Sequence, residues 1–291
     1  MHVDPLVQDP KVIFSNTPVN KVAAYFPKAS SMEFIQDPSS TPWKKDGWNV
    51  WFAPQLPESA VSDLYAMLGA QAYLVYSASP ATVNISGRAI YKRFKWRSDS
   101  FNFLGFPVDP VSPPTFKAWF AGSPAHQTNT RPIFFSLDND GHWVAVGGAT
   151  TQIQRNTAYW VFCQGGSDYQ GPTDAGVTTS MKSGAIDFGD TKTKLVFRTY
   201  NTTSLPVNVK LALSSNSSLP ITYRYQPSTS LASVDVPLTG ALSFGLEALT
   251  EQFWYFSLDR SSMTQTSGEA LLTISDDVGS YIQLPVTGQV Q

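Results

Sequence analysis

The alternation of apolar and polar positions along the chain is mostly that of β-strands. Between residues 43 and about 172, runs of aromatic and β-branched residues alternate with clusters of Gly, Pro, Asn and Asp, which is typical of strands joined by turns. From residue 185 onward the runs are shorter, and most alternate strictly between apolar and polar side chains. This second pattern indicates a β-sandwich of the immunoglobulin (Ig) type. The predicted strands of the sandwich are 194–200, 207–213, 221–225, 253–258, 270–274 and 281–286.

Only two segments have the pattern of a helix. Residues 58–68 place apolar side chains three and four positions apart on one helical face and end at Gly69, a good C-terminal stop. Residues 114–120 predict a single helical turn opened by proline. With so little helix, the chain is predicted to be all-β. The apolar face of the first helix would consist of Val61, Leu64, Tyr65 and Leu68.

Changes in composition divide the chain into four segments. The first is rich in proline, which disfavours helices and central strands, although residues 12–14 and 22–26 could form short strands. The third lacks aromatic residues and carries small polar ones, as linkers and exposed loops do. The predicted segments are 1–42, an irregular N-terminal arm; 43–172, an aromatic-rich β module; 173–184, a linker; and 185–291, the Ig-like β-sandwich.

The aromatic-rich module contains a weak internal repeat. DGWNVWFAP (46–54) aligns with DSFNFLGFP (99–107), and QAYLVY (71–76) aligns with TAYWVF (157–162). The second half is longer because it also holds a hairpin at 133–146, where Asp-Gly separates two apolar runs and predicts a tight turn. The module is therefore predicted to consist of two unequal sub-repeats.

These motifs resemble a module of bacterial exported and cell-surface proteins, in which a GWN…P strand, a D-x-D-G-x-W hairpin and an AYWV strand follow one another. The second half of the repeat matches it best, in FNFLGFPV (101–108), FFSLDNDGHW (134–143) and NTAYWVFC (156–163). Separately, GAIDFG (184–189) and LPVTG (284–288) are similar to the frame of bacterial surface Ig-like domains. The resemblance implies an extracellular or cell-surface location and a role in adhesion or surface assembly, without catalytic residues.

Composition and charge narrow the function classes. Charged residues make up 14% of the 291 residues, against about 25% in an average soluble protein. The formal net charge is −2 and no long basic run is present, which argues against a nucleic-acid partner. The one basic cluster, at 88–97, is interpreted as the solvent face of an edge strand, with a phosphate- or polysaccharide-binding patch as the less favoured alternative. No stretch approaches the ~20 apolar residues of a membrane span, and no signal peptide is recognised at the N-terminus.

Residues that could carry chemistry are few. Cys163 lies in a continuous apolar run and is interpreted as a buried, inert thiol. The histidines have no second His or Cys at metal-ligand spacing, so no metal and no cofactor is predicted. The turn around Asp138 and Asp140 resembles a fragment of a calcium loop but lacks the distal Glu, which leaves calcium there as a less favoured alternative. No catalytic motif is present, and a non-enzymatic protein is predicted, with carboxylates that meet only in the fold as the least favoured alternative.

Two functions fit these observations. The first is a structural or interaction protein of the cell exterior, such as a subunit of a surface assembly or filament. It would bind a protein partner or copies of itself, and the proline-rich arm would dock on an exposed strand edge of a neighbour. The alternative is a carbohydrate-binding module, in which sugars stack on exposed rings of a sheet face, although burial explains most of the tryptophans. The candidate rings for this platform are Trp43, Trp51, Trp96, Trp119 and Tyr169.

Overall fold

The computed structural model describes residues 1, 3–27, 47–127, 133–178, 184–214, 219–224 and 235–290. Within them almost all regular structure is β-strand, and the two α-helices, α1 (Pro10–Ile13) and α2 (Phe116–Trp119), are single turns. The prediction of an all-β protein with an Ig-like fold is confirmed. The strands are β1 (Val3–Pro5), β2 (Val19–Tyr25), β3 (Trp48–Phe52), β4 (Tyr73–Ser77), β5 (Gly87–Ala89), β6 (Ser100–Gly105), β7 (Phe134–Leu137), β8 (Trp143–Ala145), β9 (Ala158–Cys163), β10 (Thr173–Val177), β11 (Ile186–Asp187), β12 (Lys194–Asn201), β13 (Val207–Leu213), β14 (Ile221–Arg224), β15 (Asp235–Pro237), β16 (Ala241–Leu246), β17 (Glu251–Leu258), β18 (Ser267–Asp276) and β19 (Tyr281–Gln289).

The chain separates into two compact units, each built from several stretches of sequence. Unit 1 contains Met1–Arg88, Lys95–Phe106 and Pro124–Asp168, and unit 2 contains the rest. Residues 89–94 and 107–123 therefore cluster with the sandwich, although they lie inside the module predicted at 43–172. Since a cluster of contacts is not a test of independent folding, the predicted domain limits stay a prediction.

Unit 2 is a sandwich of two five-stranded sheets. One sheet has the order β10-β12-β17-β14-β15 and is antiparallel throughout. The other has the order β11-β19-β18-β13-β16, and the two-residue β11 runs parallel to β19 while the other pairs are antiparallel. All six strands predicted for the sandwich are observed, with shifted ends, as β12, β13, β14, β17, β18 and β19.

Large rings from both sheets fill the core of the sandwich. Trp254 on β17 is 1% exposed, and its ring centroid lies 4.6 Å from that of Phe244 on β16 and 6.0 Å from that of Tyr223 on β14. Phe197 stacks on Phe256 at 5.3 Å. Each such ring removes about 150–250 Å² from water. The Trp254–Phe244 contact joins the two sheets, whereas the other two contacts lie within one sheet.

The segment expected to be a linker at 173–184 begins inside the sandwich. β10 pairs with β12, and all five of its residues are buried. The Thr173 hydroxyl donates to Asp276 Oδ2 at 2.7 Å, while Asp276 Oδ1 accepts the N–H groups of Gly279 and Ser280. Small and polar residues can be buried in a strand when their polar groups find partners, so the lack of aromatic residues was a misleading signal. Residues 179–183 lie outside the described ranges.

Unit 1 is built from small sheets, and the two larger ones are antiparallel. β3 and β4 flank β2 in a three-stranded sheet, and β6, β9, β7 and β8 follow one another in a four-stranded sheet. β1 pairs with β5. In the turn between β7 and β8, Gly141 adopts a φ of 85°, a conformation that residues with a side chain rarely adopt. The predicted Asp-Gly hairpin is therefore observed.

Part of the predicted irregular arm is an integral part of unit 1. β2 is the central strand of its sheet, although the proline-rich composition argued against central strands. Pro18 and Pro27 flank β2 and do not interrupt it, so no ladder hydrogen bond is lost. Residues 12–14, expected as a strand, instead include the end of α1, which Asp9 caps by accepting the Lys11 N–H at 2.8 Å. The rest of the arm, from residue 28, lies outside the described ranges.

The helix predicted over 58–68 is not formed. Only Pro57–Val61 makes a 3-10 turn, and the following residues bind the edge of β3. The Asp63 carboxylate accepts the Val50 N–H at 2.6 Å, which gives the chain an alternative to helical hydrogen bonds. Of the expected apolar face, Leu64 alone is buried, and its three other members are exposed by 41% or more. The apolar residues do have helical spacing, but they lie in an irregular segment.

The two halves of the predicted repeat contain the expected strands but pair them differently. In the second half the opening strand β6 pairs directly with the closing strand β9, so that Phe103 lies opposite Trp160. In the first half β2 lies between β3 and β4. The shared motifs therefore describe similar aromatic strands within two different strand orders.

Candidate interaction surface

One outer face of the sandwich carries exposed aromatic rings. Along β17, Trp254 and Phe256 point into the core and are 1% exposed, whereas Phe253 and Tyr255 are 38% and 39% exposed. The alternation follows from the two-residue period of a strand, in which successive side chains leave opposite faces. Phe253 and Tyr255 therefore both face away from the core. As alternate residues of one strand, they are about 7 Å apart along it.

The strand register places further large side chains beside these rings. Arg198 on β12 lies directly opposite Phe253, and Tyr255 lies between Val196 on β12 and Arg224 on β14. Directly opposite residues have Cβ atoms about 4.5–5.5 Å apart and share one face, so the side chains form a continuous patch. We name this patch the aromatic–arginine face, and it consists of Val196, Arg198, Tyr200, Arg224, Phe253 and Tyr255.

Carboxylates hold both arginines of the face. Arg224 makes a two-bond contact with Asp235, at 2.8 and 3.0 Å. Arg198 contacts Glu251 and Asp174, each at 3.4 Å, and its guanidinium carbon lies 5.7 Å from the centre of the Tyr200 ring. The arginines are therefore oriented in advance and their charge is balanced, which lowers the entropy lost when a partner binds.

A half-buried ion pair anchors one end of the face. Arg93 donates to both carboxylate oxygens of Asp174, at 2.5 and 2.9 Å, and the two side chains are 20% and 11% exposed. Nearby, Gln170 accepts the Phe94 N–H at 2.7 Å and donates to its carbonyl at 3.2 Å. The basic cluster at 88–97 is thus not an edge strand, because β5 ends at Ala89 and Arg93 binds a carboxylate of the sandwich.

Two of the rings predicted to bind sugar meet inside unit 2. Thr115 caps the helical turn expected at 114–120, and α2 carries Trp119 into the core, where it is 0% exposed. The Tyr169 hydroxyl donates to the Trp119 carbonyl, and burial raises the pKa of Tyr169 well above its ordinary value. Gly171 has a φ of 138°, and a Cβ there would lie 2.9 Å from the Trp119 ring. Rings enclosed in this way present no face to a sugar.

The other predicted sugar-binding rings are not gathered into an exposed platform either. Trp51, in unit 1, is buried against Phe14 at a centroid distance of 5.6 Å. Trp96 is half-buried and packs on His126 at 4.2 Å, where burial lowers the pKa of His126 to about 4. Trp43 lies outside the described ranges. The set selected from the sequence therefore consists mainly of core residues.

A different group of rings in unit 1 is partly exposed. Trp160 lies at the centre of this group and is fully buried. Its ring centroid is 5.1 Å from that of Phe103, 6.2 Å from that of Trp143 and 6.4 Å from that of Trp48. These three outer rings are each partly exposed. They were missed because the sequence does not say which strands become neighbours, and the motifs GWN, FNF and GHW were the signal that could have found them.

The remaining reactive side chains are used structurally. Cys163 is buried as expected, and burial raises the pKa of its thiol to about 11. The Asp138 carboxylate accepts the N–H groups of Asp140 and His142, at 3.0 and 2.8 Å, and so caps the hairpin turn. No group of three metal-ligating side chains occurs among the described residues. Within the same ranges, no helix has the length and apolar character of a membrane span.

Comparisons with solved structures give loose partial similarities. A PapD-like domain of human CEP192 has 12% identity over 41% of this chain and 85% of that domain, with a TM-score of 0.25. A family 123 glycoside hydrolase from Clostridium perfringens has 11% identity over 41% of this chain and 27% of that enzyme, with a TM-score of 0.27. The Enterococcus faecalis MSCRAMM ACE, which binds its ligands by the collagen hug model, has 8% identity over 68% of this chain and 86% of that solved chain, with a TM-score of 0.23. TM-scores this low carry no argument about function. No protein-family model and no curated protein matches the chain.

Proposed function

We propose that this is a non-enzymatic structural or interaction protein that acts outside the cell and contacts other protein surfaces through the aromatic–arginine face. The observation that carries the proposal is the grouping of Tyr200, Phe253 and Tyr255 with two carboxylate-held arginines on one outer sheet face. Tyr, Phe and Arg are enriched at the centres of protein–protein interfaces, and the aromatic rings bury much area for little lost side-chain freedom.

A second copy of this chain is the partner that the charges of the face favour. Both arginines already have carboxylates within 3.4 Å, so two such faces meet without net repulsion. Five strands about 4.8 Å apart and about six residues long give a face of roughly 500 Å². This is less than the ~800 Å² per partner of a stable interface, so we expect weak self-association that needs a high protein concentration.

The test is self-association measured by light scattering and sedimentation. We expect the wild-type chain to form oligomers between about 10 μM and 1 mM, and the double variant Phe253→Ser, Tyr255→Ser to need a much higher concentration. The matched control changes two outward residues of the opposite sheet, Thr273→Ala and Gln283→Ala, and should associate like the wild type. If the double variant associates as strongly as the control, the face is not the contact.

The proposed location rests on the low charged fraction and on the resemblance of the sequence motifs to bacterial surface modules. It is tested in the native host with an antibody against the sandwich. Staining of intact cells equal to that of permeabilised cells is the expected result. Staining that requires permeabilisation would place the protein inside the cell and would contradict the proposal.

Carbohydrate binding remains a second candidate, supported by a different set of rings from the one the sequence suggested. Trp48, Phe103 and Trp143 are partly exposed around the buried Trp160, and sugar faces stack on such rings. Retardation in polysaccharide gels, lost in Trp48→Ala and Trp143→Ala and kept in Trp51→Phe, would support this candidate. Equal mobility of the wild type and all variants in every polysaccharide gel would rule out carbohydrate binding through these rings.

A further inference from the structure

Strand β16 is an unusual edge strand of its five-stranded sheet. Its sequence, ALSFGL, contains no charged residue and no proline, and it alternates between exposed and partly buried positions. The other three ends of the sandwich sheets are protected in ways that natural proteins use against edge pairing. β11 has two residues, β10 is buried along its whole length, and β15 is short and carries Asp235 and Pro237. Among the described strands of the sandwich, β16 alone is a long, exposed and uncharged edge.

The neighbouring strand shows which backbone groups of β16 face outward. On β13, the Asn208 carbonyl accepts the Asp277 N–H, and the next residue after the strand, Ser214, donates its N–H to the Leu271 carbonyl. The even-numbered residues of β13 therefore direct their backbone groups to β18, and the odd-numbered residues direct theirs to β16. In an antiparallel ladder two opposite residues exchange both hydrogen bonds, so Val209 and its partner Phe244 form such a pair.

The free donors and acceptors of β16 follow from this alternation. Leu242, Phe244 and Leu246 bond to β13, and the backbone groups of the intervening residues point out of the sheet edge. No described residue makes a backbone hydrogen bond to Ala241, Ser243 or Gly245 across that edge. The edge thus offers N–H and C=O groups at every second residue, and the side chains at these positions are small.

The core behind this edge is incompletely covered. Leu242 and Phe244 pack against the core of the sandwich but remain partly exposed. A strand added at the edge would extend the sheet and cover both of them. The chemistry of the edge therefore fits another extended segment with alternate apolar side chains.

We propose that β16 pairs antiparallel with β16 of a second copy, about a twofold axis that passes between the two Ser243 residues. Because the outward groups belong to alternate residues, an outward residue must oppose an outward residue. The register that pairs all three places Ser243 opposite Ser243 and Ala241 opposite Gly245. Leu242 of one copy then lies opposite Phe244 of the other, on the core side, in the pair type whose side chains approach most closely. Only small, uncharged side chains meet on the outer side. The segment is therefore complementary to itself in hydrogen bonds, apolar contact and volume.

The strand contact is separate from the aromatic–arginine face, since the two lie on different sheets of the sandwich. The pairing of six residues is smaller than a stable interface, so the strand contact is weak when it acts alone. If the face also binds a second copy, two twofold contacts on one chain link the copies into rows or closed tetramers. That extension rests on the proposed function, whereas the strand contact itself does not.

The first experiment removes the free edge by substitution and measures self-association from about 10 μM to 1 mM. Ser243→Pro deletes an outward N–H and no bond to β13, so folding should persist and the strand contact should weaken at least about tenfold. Ser243→Lys should do the same, because the twofold axis brings the two ammonium groups together. Ser243→Ala keeps the backbone donor and is the matched control. Thermal unfolding verifies that each variant is folded, and Ser243→Lys alone decides the result if the proline variant is not.

A second experiment tests the register. Opposed residues of such a pair have Cα atoms about 5.5 Å apart, which suits a disulfide. Ser243→Cys should therefore cross-link two copies on mild oxidation, whereas Gly245→Cys, opposite Ala241, should not. The cross-link should persist in the Phe253→Ser, Tyr255→Ser variant, which separates this proposal from the proposed function. A wild-type chain that stays monomeric at ~1 mM, or equal cross-linking of both cysteine variants, would overturn the strand contact.

Discussion

The two outer faces of the sandwich share one architecture and differ in what they present. Both sheets have five strands and bury every second residue. The aromatic–arginine face exposes Phe253 and Tyr255 beside oriented arginines. The opposite face, which we name the polar face, presents mainly small and polar side chains from β13, β18 and β19, together with Leu271, Tyr281 and Pro285. Its members include Asn208, Lys210, Thr273, Ser275 and Gln283.

The difference shows that inward positions build the fold and outward positions are free to serve another purpose. Most inward residues on both sheets are large and apolar, because their burial stabilises the sandwich. Nothing in that requirement calls for rings on the outside, where a ring exposes apolar area to water. Rings grouped on one face and missing from most of the other therefore indicate a contact surface.

The largest expected effect separates inward from outward rings on the same strand. Trp254→Ala should reduce the free energy of unfolding by about 3–5 kcal/mol, because it removes a buried ring and leaves a cavity. Tyr255→Ala, one residue away and 39% exposed, should cost less than about 1 kcal/mol. Urea denaturation followed by circular dichroism measures both values. Equal losses would mean that the outward ring is part of the core.

The next effect compares the two ion pairs of the aromatic–arginine face. Asp174→Ala should destabilise the sandwich by about 3 kcal/mol, because it leaves Arg93 half-buried without its carboxylate. Asp235→Ala breaks the Arg224 pair, whose side chains are 35% and 39% exposed, and should cost less than about 1 kcal/mol. The same urea denaturation measures the loss of unfolding free energy in both variants. A larger loss in Asp235→Ala than in Asp174→Ala would contradict the assignment of Arg93–Asp174 as the anchoring ion pair.

A smaller effect concerns salt. Self-association through the aromatic–arginine face should change by less than about tenfold between 0.05 and 0.5 M NaCl, because the rings supply most of the contact and the arginines are already paired. Sedimentation at the two salt concentrations measures this. A steep loss of association with salt would mean that ion pairs between copies, and not the rings, form the contact.

The smallest effect lies at the margin of the polar face. The Thr287 hydroxyl donates to Asp187 at 2.8 Å and lowers the pKa of this carboxyl, with a further bond from the Gly189 N–H. A lowered pKa stabilises the fold above pH 3.8, the ordinary value, and the contribution is lost as the pH falls through the folded pKa. Thr287→Val should raise the pKa of Asp187 towards 3.8 in an NMR titration, while Thr273→Val should leave it unchanged. An unaltered pKa in Thr287→Val would show that the hydroxyl is not the main cause.

The candidate surface was less predictable from the sequence than the fold. The strand β12 could be predicted because its side chains alternate with period two, and β17 because it is a short run of aromatic residues. Phe253 and Tyr255 are two positions apart on one strand, but Tyr200 lies far from them in the sequence and becomes their neighbour only through the register of β12 and β17. β16 was missed because its outward residues are Ala, Ser and Gly, which give a weak alternation.

The sugar platform illustrates the opposite error. Trp119 and Tyr169 were candidates for exposed rings because sugars stack on aromatic side chains. Most large aromatic rings in a folded chain are, however, largely buried. Their enclosure depends on α2 and Gly171, which approach one another only in the fold. The exposed fraction of a side chain depends on which residues pack against it in the fold. Those residues cannot be identified from their distance along the sequence.

The sequence by itself determined that the chain is all-β, where most strands of the sandwich run, and that Cys163 is buried in an apolar run. Those properties depend on local periodicity and composition, which can be read one segment at a time. Only the tertiary structure decided that β2 and β10 are integral strands, that residues 58–68 bind a strand edge instead of forming a helix, and which rings reach the surface. The physical reason is that burial, strand pairing and satisfied hydrogen bonds depend on partners distant in the chain, and their free energies outweigh local propensity.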